Sequence, residues 1–138
     1  MQPGAKVSSS VWNGPDKNFG VTVVGGTINR NMQLPAPPPE AAGMFRCDRS
    51  GLIESFFQQA GLKNTSETEV QGQLKWGTAD VYWNMMTEVA APFVAALGKA
   101  DEAMKQKIKS EVHQQLDEKY PDGNVMINSS SWVIYGEK

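Results

Sequence analysis

A strand-like run, AKVSSSVW at residues 5–12, follows directly on a Pro-Gly turn at Pro3-Gly4. Small or apolar residues occupy both faces of this run after Lys6, which favours a strand that other elements cover on both sides. A strand also needs a neighbour to pair with its backbone. The rest of the chain is therefore expected to supply further strands of a sheet.

Two later segments have the composition of such strands. Residues 64–76 alternate, with Val70, Leu74 and Trp76 on one face and Glu69 on the other, which predicts a strand with its polar face in water. Residues 124–136 carry apolar side chains on both faces, which predicts a covered strand. We therefore expect three strands, at 5–12, 64–76 and 124–136.

Helical periodicity separates these strands. The first such segment contains Gly25-Gly26, and because a glycine weakens a helix interior by ~1 kcal/mol, we expect a poor helix there. Asp48 or Ser50 is expected to cap the second helix, Thr78 the third and Asp101 the last. The expected helices span 18–33, 50–60, 79–97 and 101–119.

Two stretches that contain proline qualify this pattern. Pro92 interrupts the helix at 79–97 and can begin the next turn, and Val81, Met85 and Val89 are expected to face inward beside Tyr82. Three consecutive prolines within residues 34–43 favour an extended polyproline conformation. That stretch is either a surface crossing or a stiff arm that carries the weak helix.

Composition excludes several classes of function. The chain has 138 residues, the size of one domain, and we expect a single domain over 1–138. A net charge of −2 argues against a nucleic-acid partner. With one cysteine, Cys47, and one histidine, His113, the four-ligand zinc patterns are excluded. No apolar run is long enough for a membrane span and no signal peptide is recognisable, so the expected compartment is the cytoplasm.

The chemistry-bearing residues are few. No glycine-rich phosphate loop is present, since Gly25-Gly26 lacks the G-x-G-x-x-G spacing. His113 is interpreted as a surface histidine and Cys47 as a small buried residue. Aromatic and methionine side chains are more concentrated, above all in Tyr82-Trp83 and Met85-Met86. Core packing explains most of them, and the remainder are suited to lining an apolar ligand pocket.

Four motifs follow one another in a recognisable order. They are MQPGA leading into SVW at residues 1–12, MFR at 44–46 followed by the helix from Gly51 to Leu62, YW at 82–83 with TEVAAP at 87–92 on one helix, and SSSWVIYGEK at 129–138. This succession resembles the C-terminal half of class I S-adenosylmethionine-dependent methyltransferases. The likeness is to the small-molecule group that includes ubiquinone and menaquinone biosynthesis enzymes.

The resemblance implies a Rossmann-like α/β fold of which this chain holds the substrate-side half. The three strands would form a mixed sheet, with the last strand antiparallel between the other two. The cofactor-binding half, with its glycine-rich loop, would precede Met1. We therefore expect no cofactor for this chain alone, and neither S-adenosylmethionine binding nor catalysis by it alone. The helices at 18–33 and 79–97 would cover the substrate.

No catalytic, cofactor-binding or metal-binding residue is assigned. Substrate contacts are expected where open α/β sheets place their ligands, at the carboxyl end of the first strand, and on the aromatic motifs. The expected substrate contacts are Trp12, Asn13, Phe45, Arg46, Tyr82 and Trp83. The alternative for the aromatic residues is packing, and for Arg46 a surface salt bridge.

The first strand is expected to be an exposed sheet edge, which recruits partners. The expected partner is a second copy of the chain, in a homodimer, or a separate cofactor-binding half. An apolar small molecule is a further expected ligand, whereas nucleic acid and membrane are not expected. Two other functions stay open, a noncatalytic module that binds an apolar small molecule and a dimerisation module without a ligand.

Overall fold

The structure, a computed structural model, describes residues 2–35, 38 and 41–138. The polyproline prediction for 34–43 therefore falls partly outside the described residues. Within them lie three strands and five α-helices, besides a 3₁₀ turn at Pro15–Lys17. In chain order these are β1 Lys6–Trp12, α1 Phe19–Met32, α2 Leu52–Gln59, β2 Lys63–Gly77, α3 Ala79–Val89, α4 Ala91–Leu97, α5 Glu102–Lys119 and β3 Val125–Glu137. The α/β class and the positions of all predicted strands and helices are confirmed.

The three strands form one sheet in the order β1-β3-β2. β1 and β3 are antiparallel, in a register that runs from Lys6 opposite Glu137 to Trp12 opposite Ser131. β2 is antiparallel to β3 as well. The last strand is therefore central, as expected, but the predicted mixed sheet is wrong for the described strands. β1 and β2 run in the same direction, yet they never pair because β3 separates them.

The chain divides into two compact units, which we describe separately. The first comprises the described parts of 1–18, 40–72 and 129–138, and the second those of 19–39 and 73–128. β2 and β3 each contribute residues to both units. Helix α2 belongs to the first unit, and the other four helices belong to the second.

In the first unit, one face of β1 is open. Its side chains alternate between half-buried and exposed, with Lys6, Ser8, Ser10 and Trp12 exposed. The prediction of a strand covered on both faces is therefore wrong, because in the part of the chain that the structure describes a helix packs near one face only. On that face Val7 lies opposite Gly136, where a Cβ would come within 3.1 Å of the Phe57 ring on α2.

The two ends of α2 have different origins. Gly61 follows the helix with φ of 77°, in the left-handed conformation that the sequence predicted for it. The predicted caps Asp48 and Ser50 are wrong, since Gly51 occupies the cap position without a capping side chain. Instead, Glu67 on β2 accepts hydrogen bonds from the Gly51 N–H and from the Ser50 hydroxyl, both at 2.8 Å. A long-range carboxylate therefore replaces the local cap.

Of the inward residues predicted for β2, only Trp76 is half-buried, and it packs against the core of the second unit. Val70 and Leu74, expected to point inward, are 50% and 57% exposed. Glu69, expected to be in water, is half-buried among hydrogen-bond donors of the first unit. Alternation fixed which residues share a face, but it could not fix which face the polar partners would cover.

The second unit contains the apolar core. The buried core residues come from α1, α3, α4, α5 and the start of β3. They are Val23, Val24, Ile28, Tyr82, Trp83, Leu97, Ile108, Val112, Leu116, Val125 and Ile127. Helix α1 forms despite its glycines, and two of them lie where a neighbouring side chain approaches closely. A Cβ at Gly20 would overlap Ile127, and one at Gly25 would lie 3.3 Å from Phe93.

The caps of α3 and α5 in the second unit are local and were predicted correctly. Thr78 accepts from the Val81 N–H at 3.3 Å, and Asp101 accepts from the Met104 N–H at 2.8 Å. The inward face predicted for α3 is correct only at Tyr82. The three other residues, namely Val81, Met85 and Val89, are exposed.

Candidate functional site

A buried polar cluster lies just beyond the carboxyl end of β1, in the first unit. Asn13 is buried, and its side-chain amide donates to the Ser130 hydroxyl and to Glu69 Oε1, each at 3.1 Å. Its Oδ1 accepts from the Gly14 N–H at 2.8 Å. Buried amides need such partners, because an unpaired one costs ~1–3 kcal/mol. Asn13 is thereby fixed to both β2 and β3.

Asn18 holds the loop that follows β1. Its Nδ2 donates to the carbonyl oxygens of Asn13, Gly14 and Ser130 at 2.9, 3.0 and 3.1 Å. Its Oδ1 accepts from the Ser130 N–H at 3.0 Å. The Asn18 side chain therefore pairs with the Ser130 backbone of β3 in the way that a further residue of β1 would. The same side chain holds residues 13–18 in a defined loop.

Glu69 is the charged member of the cluster. Its Oε1 accepts from Lys17 Nζ at 2.8 Å and from the Ser130 hydroxyl at 2.7 Å. The hydrogen bonds from Lys17, Ser130 and Gln71, in that order of size, lower the pKa of Glu69 to about 2. Glu69 is therefore ionised at neutral pH and acts as an acceptor, not as a proton donor.

The polar cluster holds the backbone of residues 13–18 in place and has no arrangement typical of a catalytic site. Its amide, hydroxyl and carboxylate groups are bonded to one another, and Lys17 also lies 5.7 Å from the Trp132 ring centre. No nucleophile–base pair is formed by Asn13, Asn18, Ser130 and Glu69. Within the described ranges, no group of three or more metal-ligating side chains is assembled either. We therefore interpret the cluster as the structural support of the loop at residues 13–18.

The predicted substrate residues of the first unit occupy two places. Trp12 and Asn13 are adjacent at the end of β1, with Trp12 37% exposed on the open face and Asn13 buried in the cluster. Phe45 and Arg46 lie in a turn in which the Arg46 N–H donates to the Gly43 carbonyl at 3.1 Å. Phe45 is half-buried and Arg46 is exposed. Their role as substrate contacts stays a prediction.

Tyr82 and Trp83 belong to the second unit. Tyr82 is fully buried, and its hydroxyl donates to the Gly20 carbonyl. Burial, followed by the nearby Tyr120, raises the Tyr82 pKa well above its ordinary value, so the hydroxyl stays protonated. Its contacts are those of a core residue. As a substrate contact Tyr82 remains a prediction.

Trp83 borders a surface cleft between α3, α4 and α5, which we call the α3–α5 cleft. Its volume is about 350 Å³, within the ~300–1,000 Å³ range of small-molecule sites. Trp83 is 8% exposed and Leu97 is also buried, so the apolar lining is part of the core surface. The lining residues are Trp83, Thr87, Val94, Leu97, Gly98, Glu102, Lys105, Gln106 and Lys109.

His113 is less exposed than the predicted surface histidine. Its side chain is half-buried, and Nε2 lies 3.7 Å from Asp80 Oδ1, beyond hydrogen-bond distance. Lys109 is the closer partner of Asp80, at 2.8 Å, and this contact is the main cause that lowers the Asp80 pKa. The histidine therefore flanks an ion pair and has no nucleophile beside it in these contacts.

The sequence interpretation missed three members of the polar cluster, Asn18, Ser130 and Glu69. Asn18 carried a signal, because asparagine directly before a helix is a preferred capping residue. Ser130 lies within a polar run, Asn128 to Ser131, in the middle of a strand with apolar ends, which is a weaker signal. Glu69 carried none, because its partners Asn13 and Ser130 are more than fifty residues away in the sequence.

Comparison with models of known protein families and with curated proteins gave no match. In the part of the chain that the structure describes, no helix combines the length and apolar character needed to cross a bilayer. Arguments about function therefore depend on the residues and geometry described above.

Proposed function

We propose that this chain is the C-terminal, substrate-side part of a class I S-adenosylmethionine-dependent methyltransferase fold that acts on a small molecule. The single observation that supports the proposal is the strand order β1-β3-β2, with the last strand antiparallel and central. The motif resemblance implies this same order independently. A chain of three strands has other possible orders, so the agreement carries weight.

The proposal requires a strand to add at the outer edge of β1. The backbone groups available there follow from the register. The backbone N–H of Asn13 donates to the Ser130 carbonyl, and the backbone N–H of Lys138 donates to the Ala5 carbonyl. In the observed register, the backbone groups of the odd-numbered residues of β1 therefore point toward β3. The N–H and C=O groups of Lys6, Ser8, Ser10 and Trp12 consequently point to the open edge. Four consecutive sites of this kind suit an incoming parallel strand.

The chemistry of methyl transfer indicates which half would bind the cofactor and which would contact the acceptor. The reaction requires the sulfonium carbon in line with its acceptor, and such positioning supplies much of the catalysis. The added half would bind the cofactor, while Trp12 and the loop held by Asn18 would face the acceptor at the carboxyl end of β1. These residues alone would neither bind S-adenosylmethionine nor transfer a methyl group.

The test supplies the proposed half. The chain is co-expressed with the first four strands and intervening helices of a menaquinone-biosynthesis methyltransferase, and the purified sample is titrated with S-adenosylhomocysteine by calorimetry. We expect a one-to-one complex with saturable heat, and no heat from the 138-residue chain alone. Saturable heat from the chain alone, or no complex at all, would contradict the proposal.

A matched pair of variants locates the contact. Ser10→Pro removes an N–H that points outward and leaves the bonds to β3, so the chain should stay folded but lose the complex. Ser10→Thr keeps the N–H and should retain it. If both variants associate equally, the partner half does not add at β1.

A dimerisation module is the second candidate, and the same open edge favours it, since two copies can pair there. Native mass spectrometry of the chain alone distinguishes the two candidates. A dimer that Ser10→Pro dissociates, and that persists when the methyltransferase half is offered, would support the dimerisation module.

A further inference from the structure

The α3–α5 cleft combines an apolar wall with a cationic rim. Trp83, Val94 and Leu97 form the apolar part, and Lys105 and Lys109 supply the cations. Val94 is 44% exposed, so the wall is accessible from solvent. A site with one apolar end and one charged end selects ligands with the same division.

The two lysines differ in availability. Lys109 Nζ is held by Asp80 at 2.8 Å, a charge-assisted hydrogen bond. Lys105 Nζ lies 3.7 Å from Glu102 Oε2, beyond hydrogen-bond distance, and the Glu102 side chain is itself largely exposed. Exposed pairs of this kind contribute ~0–1 kcal/mol, so a ligand anion can replace Glu102 beside Lys105 at little cost.

We propose that the α3–α5 cleft binds an amphipathic monocarboxylate, with the carboxylate at Lys105 and the apolar tail against Trp83, Val94 and Leu97. The volume of about 350 Å³ accommodates a medium-length tail. Thr87 also lines the cleft, and its hydroxyl donates to the Trp83 carbonyl at 2.9 Å. Toward a ligand, the Thr87 hydroxyl can therefore act only as a hydrogen-bond acceptor. This proposal does not rest on the methyltransferase relationship, because it depends only on the apolar and cationic side chains that line the cleft.

The test uses octanoate as the probe, titrated calorimetrically into the full chain below its micelle-forming concentration. Octanol supplies the tail without the charge, and acetate supplies the charge without the tail. Octanoate is expected to bind saturably at one site, and both comparison ligands at least about tenfold more weakly. Absence of saturable octanoate binding, or equal binding of octanol, overturns the proposal.

Two pairs of variants place the ligand. Lys105→Glu should weaken octanoate binding about tenfold by exchanging attraction for repulsion, whereas Lys99→Glu, outside the cleft, makes the same charge change and should not. Val94→Glu should weaken binding similarly through the tail, whereas Val89→Glu on the exposed face of α3 should not. Equal effects within either pair would mean non-specific association and would overturn the assigned site. The ligand comparison on the unaltered chain stands even if a variant fails to fold.

Discussion

Two glycines of α1 should respond to the same substitution in opposite directions. At Gly20 a Cβ would overlap Cγ2 of the buried Ile127 and lie 3.3 Å from its Cβ. At Gly26 the nearest heavy atom is the flexible end of Arg30, at 3.8 Å, an ordinary contact. Replacement by alanine gains up to ~1 kcal/mol in a helix interior, which applies to Gly26, whereas Gly20 is the second residue of α1 and gains less. Only Gly20→Ala adds an overpacking cost of ~1–3 kcal/mol.

The net expectation is that Gly26→Ala stabilises by ~0.5–1 kcal/mol and Gly20→Ala destabilises by ~1–2 kcal/mol. The overlap at Gly20 would also displace the carbonyl to which the Tyr82 hydroxyl donates. For a chain of this length, 1 kcal/mol moves the Tm by about 3–5 °C, so the two variants should differ by about 5–15 °C. Urea unfolding followed by circular dichroism gives the corresponding free energies.

A double-mutant cycle tests the steric cause. Ile127→Ala removes the overlapping γ carbons, so Gly20→Ala should cost little in that background, with a coupling of ~1–3 kcal/mol. If Gly20→Ala proves as stable as Gly26→Ala, the close packing of α1 on β3 in the second unit is refuted. If the cost of Gly20→Ala persists in the Ile127→Ala background, the overlap is not its cause.

Three further predictions concern single groups. The pKa of Glu69 is lowered from its ordinary value of 4.5 to about 2, so the ionised carboxylate stabilises the fold above pH 4.5 and this stabilisation is lost as the pH falls toward about 2. The midpoint of urea unfolding should therefore fall across that pH range, and it should fall less in Glu69→Gln. An equal pH dependence in both would count against the cluster. Asn18→Ala should cost ~1–3 kcal/mol in urea unfolding by leaving the Ser130 N–H unpaired, and a cost like that of an exposed asparagine would contradict the geometry. Asp101→Ala should cost ~1 kcal/mol by loss of its cap, restored by Asp101→Ser, whereas an unchanged midpoint would refute the cap.

Local signals predicted the elements of the fold. Helices α3 and α5 begin at the predicted caps Thr78 and Asp101, and α2 ends just before the predicted Gly61. These predictions succeeded because each residue acts on backbone within a few residues of itself. The strands were recognised in the same way, from alternation and composition. The predicted cap that proved wrong, at the start of α2, is replaced by Glu67 from another element, and no local pattern encodes such a partner.

Sidedness was harder to predict than position. For β2 and α3, the apolar residues were assumed to face inward, yet Val70 and Val81 are exposed. Glu69 is drawn to the covered side because Ser130 and Asn13 lie there, and hydrophobicity alone does not reveal such polar attraction. The candidate site was therefore only partly predictable: Asn13 was selected for its place after a strand, whereas the residues that hold it were not.

The bond between Asn18 and Ser130 has a kinetic consequence. Amide hydrogens in a central strand normally exchange with solvent only when a neighbouring strand separates. The Ser130 N–H is instead covered by the side chain of a loop residue, at 3.0 Å. Its deuterium exchange should therefore report the opening of residues 13–18, while other amides of β3 report the opening of the sheet. The exchange rate of one amide in the central strand thus measures how often the neighbouring loop opens.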